Sequence, residues 1–244
     1  MLARGWLIII DEGSWMSELV SYSFSDGVAV LALDNGKANA LSPELFEAFN
    51  AALDRAEQDR AVVVIKGKEG IFSGGYDLKV MTSSPEAAKG LVAIGSTLSR
   101  RLLAHPYPVM TMCTGHAIAK GAFLLLSADY RIGVEGPFKI GLNEVAIGMT
   151  MHHVGIELAR ARLTHSAFTR SVINAELFSP TDAVTAGFLD RVVPAEALET
   201  ETMAMAAQLT KLNMTAHRNT KLKTRKALLE LLDQSIAEDK LHNL

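Results

Sequence analysis

The sequence predicts an α/β protein whose C-terminal part is helical, and three observations carry that expectation. Runs such as "VVVI" (62–65) and "VMTMC" (109–113) are short, apolar and partly β-branched, as strands buried on both faces are. Segments with helical apolar spacing and capping residues alternate with them, which is the signature of α/β architecture. After about residue 150 the strand-like runs nearly stop and helical patterns take over.

Bulk properties narrow the function classes. Of 244 residues, 49% are hydrophobic and 21% charged, enough for a sizeable core and too apolar for disorder. A net charge of −3 gives no general attraction to nucleic acid or to a membrane surface. The single cysteine, Cys113, cannot close an internal disulfide, and its apolar setting suits a buried, inert thiol in a reducing, cytoplasmic compartment. The apolar run Trp6 to Ile10 is too short for a signal-peptide core or a membrane span. Met16 begins an ordinary-looking start, so residues 1–15 read as an extension or upstream-start artefact, or else as a first strand.

The elements follow in order. "LVSYSFS" (19–25) and "VAVLALD" (28–34) read as strands, with Asp26-Gly27 as a hairpin turn between them. "LSPELFEAFNAALDRAEQD" starts a helix with Ser42 at the N-cap, Pro43 at the first position and Glu44 in the first turn. Leu45, Phe46, Phe49, Ala52, Leu53 and Ala56 form its apolar stripe. Strand 62–65, a helix near 86–104, strand 109–113, a helix near 118–127 and strand "YRIGV" (130–134) come next. Residues 153–163, 165–174, 179–187 and everything from Pro194 onward read as helices, with no linker dividing the chain. His152 and His153 read as caps for the helix after them, and they lack the spaced third partner of a metal site.

Three stretches are candidates for chemistry. "IFSGGYDL" (71–78) and "TGHAIAKGAFLLLSADY" (114–130) each take a buried strand through a tight, small-residue turn into a helix. Backbone N–H groups at such turns bind negative charge, and two facing turns polarise one oxygen as an oxyanion hole does. Neither stretch fits the Walker or the G-x-G-x-x-G pattern. In "IGLNEVAIG" (140–148), Glu144 is a carboxylate within an apolar stretch, where burial raises a carboxyl pKa and suits a general base; a strand-edge glutamate facing water is the plainer alternative.

With "KANALS" (37–42) and "SPTDAVTAGFLDRVV" (179–193), these stretches give five motifs in order, and the chain from Val28 to about Lys226 resembles the crotonase superfamily, the enoyl-CoA hydratase/isomerase family. The resemblance implies a crotonase-like spiral of ββα units over residues 16–190 and a C-terminal helical oligomerisation region over 191–244, assembled as homotrimers or hexamers. It implies no cofactor beyond coenzyme A, carried as part of an acyl-CoA thioester substrate. The N–H groups of Tyr76 and Lys120 are then the donors to the thioester oxygen, Gly75 makes room for the thioester, and Glu144 is the base. Lys37, Ala38, Ala40, Asp77 and Leu78 line the adenine and pantetheine path, and Gly121 and Phe123 border the acyl group with Val80, Met81, Met149 and Met151. Asp77 equally suits a helix cap, and His116 and Asp129 suit structural roles.

Two departures from the family pattern matter. Ala119-Lys120-Gly121 stands where the family has three glycines, leaving open where the lysine side chain goes. Phe123 takes the place of one of the two glutamates that hydratases use. One remaining carboxylate suits a double-bond shift, in which one base moves one proton, so isomerase chemistry is expected over hydration. A non-catalytic acyl-CoA or RNA binder is a third reading. The basic run 211–226 (Lys211, Arg218, Lys221, Lys223, Arg225, Lys226) reads as a solvated helix face near CoA phosphates, and it has no interleaved aromatics for RNA.

Overall fold

The computed structural model describes residues 8–11 and 14–241. Strands β1 (Ile8–Asp11) and β2 (Ser14–Met16) pair antiparallel, and β2 pairs with β3 (Val20–Ser25). The part of the N-terminal segment that is described therefore extends the sheet, as the first-strand reading expects. β3 turns into β4 (Val28–Leu33) through Asp26 and Gly27, whose φ angles of 52° and 79° are those of the expected tight hairpin. Helix α1 (Pro43–Gln58) is capped by the Ser42 hydroxyl, which accepts from Leu45 N, and it buries the six stripe residues.

The next three units share one plan. β5 (Val62–Lys66), β7 (Val109–Cys113) and β9 (Tyr130–Val134) continue the large sheet in parallel, next to β4 and in that order, with β12 (Arg191–Val193) at the far edge. After each of the three, the chain crosses to a second sheet. β6 (Gly70–Ser73), β8 (Gly115–Ile118) and β10 (Ile140–Gly141) build that sheet with β11 (Leu177–Phe178). Each crossing is followed by helix: α2 (Leu78–Met81) and α3 (Pro85–Ala104), then α4 (Lys120–Leu126), then α5 (His153–Arg162). This is the expected spiral of ββα units.

The alternation of β5 shows why the large sheet is covered on both faces. Val63 and Ile65 enter the main core with Leu45, Phe46, Leu98 and Leu102, while Val62 and Val64 pack with Met110, Ile132, Leu198 and Ala206 on the other side. The second face is closed by α8 (Leu198–Leu209). Between α5 and α8 lie α6 (His165–Phe168), which continues as a π-helical turn over Thr169–Ile173 instead of the regular helix expected to 174, and α7 (Pro180–Ala186), capped by Ser179.

The last helix, α9 (Met214–Leu241), runs back over α3 and α5. It is fastened by charge: Lys221 Nζ and Arg225 Nη1 bind the two oxygens of Asp129 at 2.6 and 2.8 Å, and Arg100 grips Asp233 with two bonds of 2.8 and 2.9 Å. Asp129 also accepts from Val109 N. The basic run is therefore only partly a solvated face, because Lys221 is buried and Arg225 half-buried against the core. Among the described residues no helix is long and apolar enough to cross a membrane.

Candidate active site

The first glycine turn is stitched to the segment before α1. Asn39, buried with φ 46°, donates through Nδ2 to Leu33 O and Phe72 O (3.1 and 2.8 Å) and accepts from Asn35 N (2.8 Å). Ser73 Oγ donates to Asn39 O and accepts from Gly75 N. Gly74 N donates to Ala38 O, Leu41 N to Gly75 O, and Asp77 N to Leu41 O. The last two bonds frame a parallel bridge between Leu41 and Tyr76, which uses the groups on either side of Tyr76 and turns its own N–H to the opposite side.

β8 ends at Ile118, and Ala119 N donates to Gly141 O, tying the second turn to β10. Ala119 takes φ 51° and ψ −120°, a conformation glycine adopts freely and alanine does not, and α4 begins at Lys120. Contact between the turns is close enough to require glycine twice. A Cβ on Gly121 would meet Ser73 O at 2.3 Å, and one on Gly75 (φ 102°) would meet Ala119 Cβ at 3.1 Å and Lys120 N at 3.5 Å. The two turns therefore pack against each other, Gly75 beside Ala119 and Lys120 and Gly121 beside Ser73. The sequence places each turn directly after a buried strand; the structure inserts β6 and β8, because the chain crosses to the small sheet each time before it turns.

Glu144 ends the stretch after β10, 6% exposed, with Oε2 lacking a partner. Burial pushes its carboxyl up to about 7, against the pull of its own and Asn143's N–H groups and of the Lys120 charge. Its burial does not come from the apolar residues that follow it. Val145 and Ile147 are exposed on a 3₁₀ turn (Val145–Ile147), so Glu144 faces inward while its neighbours face out. The water-facing alternative for Glu144 is thereby corrected.

Lys120 and Tyr76 lie within its field, and Phe123 and His152 pack on each other. The Lys120 side chain, 2% exposed, runs to α3, where Nζ donates to Gly95 O (2.6 Å) and Ser99 Oγ (2.5 Å). Burial pulls its ammonium down to about 7, opposed by Glu144. Tyr76 lays its ring on Gly95, where a Cβ would lie 2.3 Å from Oη, and burial followed by the Glu144 and Asp239 charges raises its phenol. Phe123 is buried edge-on to the His152 ring, 5.4 Å between centroids. Burial drives His152 down to about 4 against the Asp239 charge, so its ring is neutral at pH 7.

His152 and His153 do not cap α5 with their side chains. Asp239 does so from α9, accepting from His153 N (2.7 Å) and Val154 N (3.1 Å). A partner 86 residues away along the chain leaves no local signal. Small residues at Gly95 and Ser99 on the buried face of α3 were the one sequence sign of a side chain arriving there. At the rim, Lys37, Ala38 and Leu78 are exposed and Ala40 is half-buried. Asp77 caps α2, accepting from Lys79 N at 2.8 Å. His116 Nδ1 accepts from Lys139 N, and Cys113 is buried with its thiol pushed up to about 12 by burial, as suits structural residues. Among the described residues no cluster of His, Cys, Asp and Glu could hold a metal.

Known proteins carry the same pattern. The sequence profile of the enoyl-CoA hydratase/isomerase family matches residues 23–243. The human mitochondrial enoyl-CoA delta isomerase 1 is 30% identical over 214 residues, 86% of this chain and 71% of that protein. A crystal structure of an enoyl-CoA hydratase/isomerase family protein from Pseudomonas syringae superimposes with a TM-score of 0.92 at 66% identity, covering 93% of this chain and 99% of that one. The enoyl-CoA hydratase EchA3 of Mycobacterium ulcerans gives a TM-score of 0.87 at 39% identity, covering 91% and 98%. Relatives thus bear both the isomerase and the hydratase name, and what they share is the scaffold described above: the chain belongs to the enoyl-CoA hydratase/isomerase family, the crotonase superfamily.

Proposed function

We propose that the protein shifts the double bond of a 3-enoyl-CoA to the 2-position, with Glu144 as the single base. The observation that carries this reading is a buried carboxylate with an unpartnered oxygen, and by resemblance Phe123 takes the place of the hydratases' second glutamate. The N–H groups of Tyr76 and Lys120, at the meeting point of the two turns, hold the thioester oxygen. Glu144 removes a proton from C2, and the electron pair spreads onto that oxygen as a dienolate. The same carboxyl returns the proton at C4, so the double bond moves from C3–C4 to C2–C3 and no atom is gained or lost. Two aligned donors favour the dienolate over the neutral thioester, an effect worth about 10²–10³ in rate per donor in other enzymes. The exposed segment Lys37–Ala40 with Asp77 and Leu78 borders the path of the CoA portion, and Gly75, Gly121 and Phe123 shape the space around the thioester and acyl group.

The test is turnover of 3-enoyl-CoA, with the product's double-bond position determined. Glu144→Gln is expected to lower kcat by about 10²–10⁴, the usual worth of general acid–base catalysis; turnover at the wild-type rate removes Glu144 from the mechanism. The base works ionised, so kcat/KM is expected to be full above about pH 7 and to fall as pH drops through the raised Glu144 value. Hydration is the second reading, supported by relatives that carry the hydratase name. Water addition to crotonyl-CoA faster than isomerisation of 3-enoyl-CoA would establish it instead.

A further inference from the structure

Helix α5 begins without a cap of its own. Its N-cap residue, His152, is buried and makes no side-chain bond to the first N–H groups of the helix. The His152 ring is turned instead to Phe123 on α4, edge-on with 5.4 Å between centroids. Capping falls to α9, where Asp239, 7% exposed, accepts from His153 N through Oδ1 (2.7 Å) and from Val154 N through Oδ2 (3.1 Å). The common solution is local: a serine, threonine, asparagine or aspartate at the N-cap satisfies the same groups. Here that position has another use, and it shows at Gly155, inside the first turn. A Cβ on Gly155 would lie 2.8 Å from His152 Cε1, from Met151 Sδ and from Phe123 Cζ, so three side chains close on the helix at one point. The placing of α5 against α4 therefore decides where Met151 and His152 stand. α9, which supplies the cap, is itself anchored: Asp233 is gripped by Arg100 of α3, and Lys221 and Arg225 bind Asp129. Its carboxylate is a fixed point.

We propose that Asp239 is a positioning residue: by capping α5 from α9 it holds Met151 and His152 against Phe123, and so fixes a wall on which the acyl chain of the substrate rests. This rests on the reading given above, in which Phe123 borders the acyl group. A carboxylate at a helix N-terminus, with one oxygen on each of two N–H groups, is a strong and directional tie. Without it the N–H groups of His153 and Val154 have no partner, and the first turn of α5 unwinds to reach water. Met151 and His152 then lose their fixed place. The two glycine turns lose nothing, because their ties run to β10, Ala38, Asn39 and Leu41 and not to α5. Asp239 thus acts on how the acyl chain is held, through the helix it caps, and touches no reacting atom.

The test reads the acyl chain's share of binding, as the ratio of the Kd of free CoA to that of hexanoyl-CoA, measured by calorimetry. Wild type is expected to bind hexanoyl-CoA more tightly than CoA. Asp239→Ala is expected to cut the ratio by about fourfold or more, the equivalent of at least one buried methylene. Asp239→Asn keeps one acceptor oxygen and is expected to fall between the two. A cap that serves stability alone lowers the Tm of Asp239→Ala and leaves the ratio unmoved, and that result overturns the proposal. A wild-type protein that binds hexanoyl-CoA no better than CoA overturns it as well. Should Asp239→Ala not fold, the Asp239→Asn ratio decides: lowered, it supports the proposal; unmoved, it overturns it. Hexanoyl-CoA is saturated and undergoes no double-bond shift, so the two readings fail separately. Absence of isomerisation in the wild type removes the proposed reaction, while the binding ratios still decide the role of Asp239.

Discussion

The two turns that meet at Gly75 and Gly121 are built by opposite means. Residues 73–77 use glycine where φ is positive, at Gly75, and are held by side chains of low charge, the Asn39 amide and the Ser73 hydroxyl, each spending its bonds on backbone groups. Residues 118–121 place Ala119 at φ 51° and follow it with a lysine whose charge is buried. The first turn is held by neutral side chains; the second is strained and carries a buried charge. A backbone geometry is thus separable from the residues that occupy it, and the occupants decide what else the turn does. In the second turn the occupants bury a cation against α3, at a cost in strain and desolvation.

If the meeting of the turns is what makes a site, wedging them apart should have the largest effect. Gly121→Ala puts a Cβ 2.3 Å from Ser73 O, against backbone that has no side-chain freedom to yield. The expected loss in kcat on 3-enoyl-CoA is about 10²–10³, the worth of one misplaced oxyanion donor. Near-wild-type turnover in a folded Gly121→Ala protein would show that the close approach is packing alone.

A smaller effect, on stability and not on chemistry, should follow from loosening the first turn by itself. Asn39→Ala strips Leu33 O, Phe72 O and Asn35 N of their partner inside the protein. The expected destabilisation is about 2 kcal/mol, within the range for buried polar groups left unsatisfied, read as a lower urea midpoint with an unchanged slope. A midpoint equal to wild type would mean that water replaces the amide and that the turn holds itself.

Much of this contrast was legible in the sequence, for reasons that also mark where legibility ended. The α1 cap at Ser42, its six-residue stripe, the Asp26-Gly27 hairpin and the strand Tyr130–Val134 were readable because their causes are local: a hydroxyl, a spacing of 3.6, a turn dipeptide. The small sheet was hidden because its strands are two to four residues long, and Gly70, Gly115 and Gly141 within them read as turn. In the candidate site, the two turns and Glu144 stood out as residue types in a pattern. What fixes them did not: Asp239 reaches α5 across 86 residues, and Lys120 reaches Ser99 across 21. The run Val145–Ile147 misled in its reasoning though not in its outcome, since Glu144 is buried while those neighbours are exposed.

The smallest expected effect has the opposite sign and isolates the strain in the second turn. Ala119 has φ 51° and ψ −120°, where a Cβ crowds its own backbone, at a cost of about 1–3 kcal/mol for non-glycine residues. Ala119→Gly removes that crowding in the folded protein and adds freedom to the unfolded chain, which gives back up to about 1 kcal/mol. The net gain should be about 1 kcal/mol, seen as a raised urea midpoint. Because Ala119 Cβ is also the atom nearest to a Cβ built on Gly75, its removal opens slack between the turns, so activity should stay equal or fall slightly while stability rises. A protein made less stable by Ala119→Gly would show that the alanine methyl's packing outweighs its backbone strain, and the two turns would then differ in charge alone.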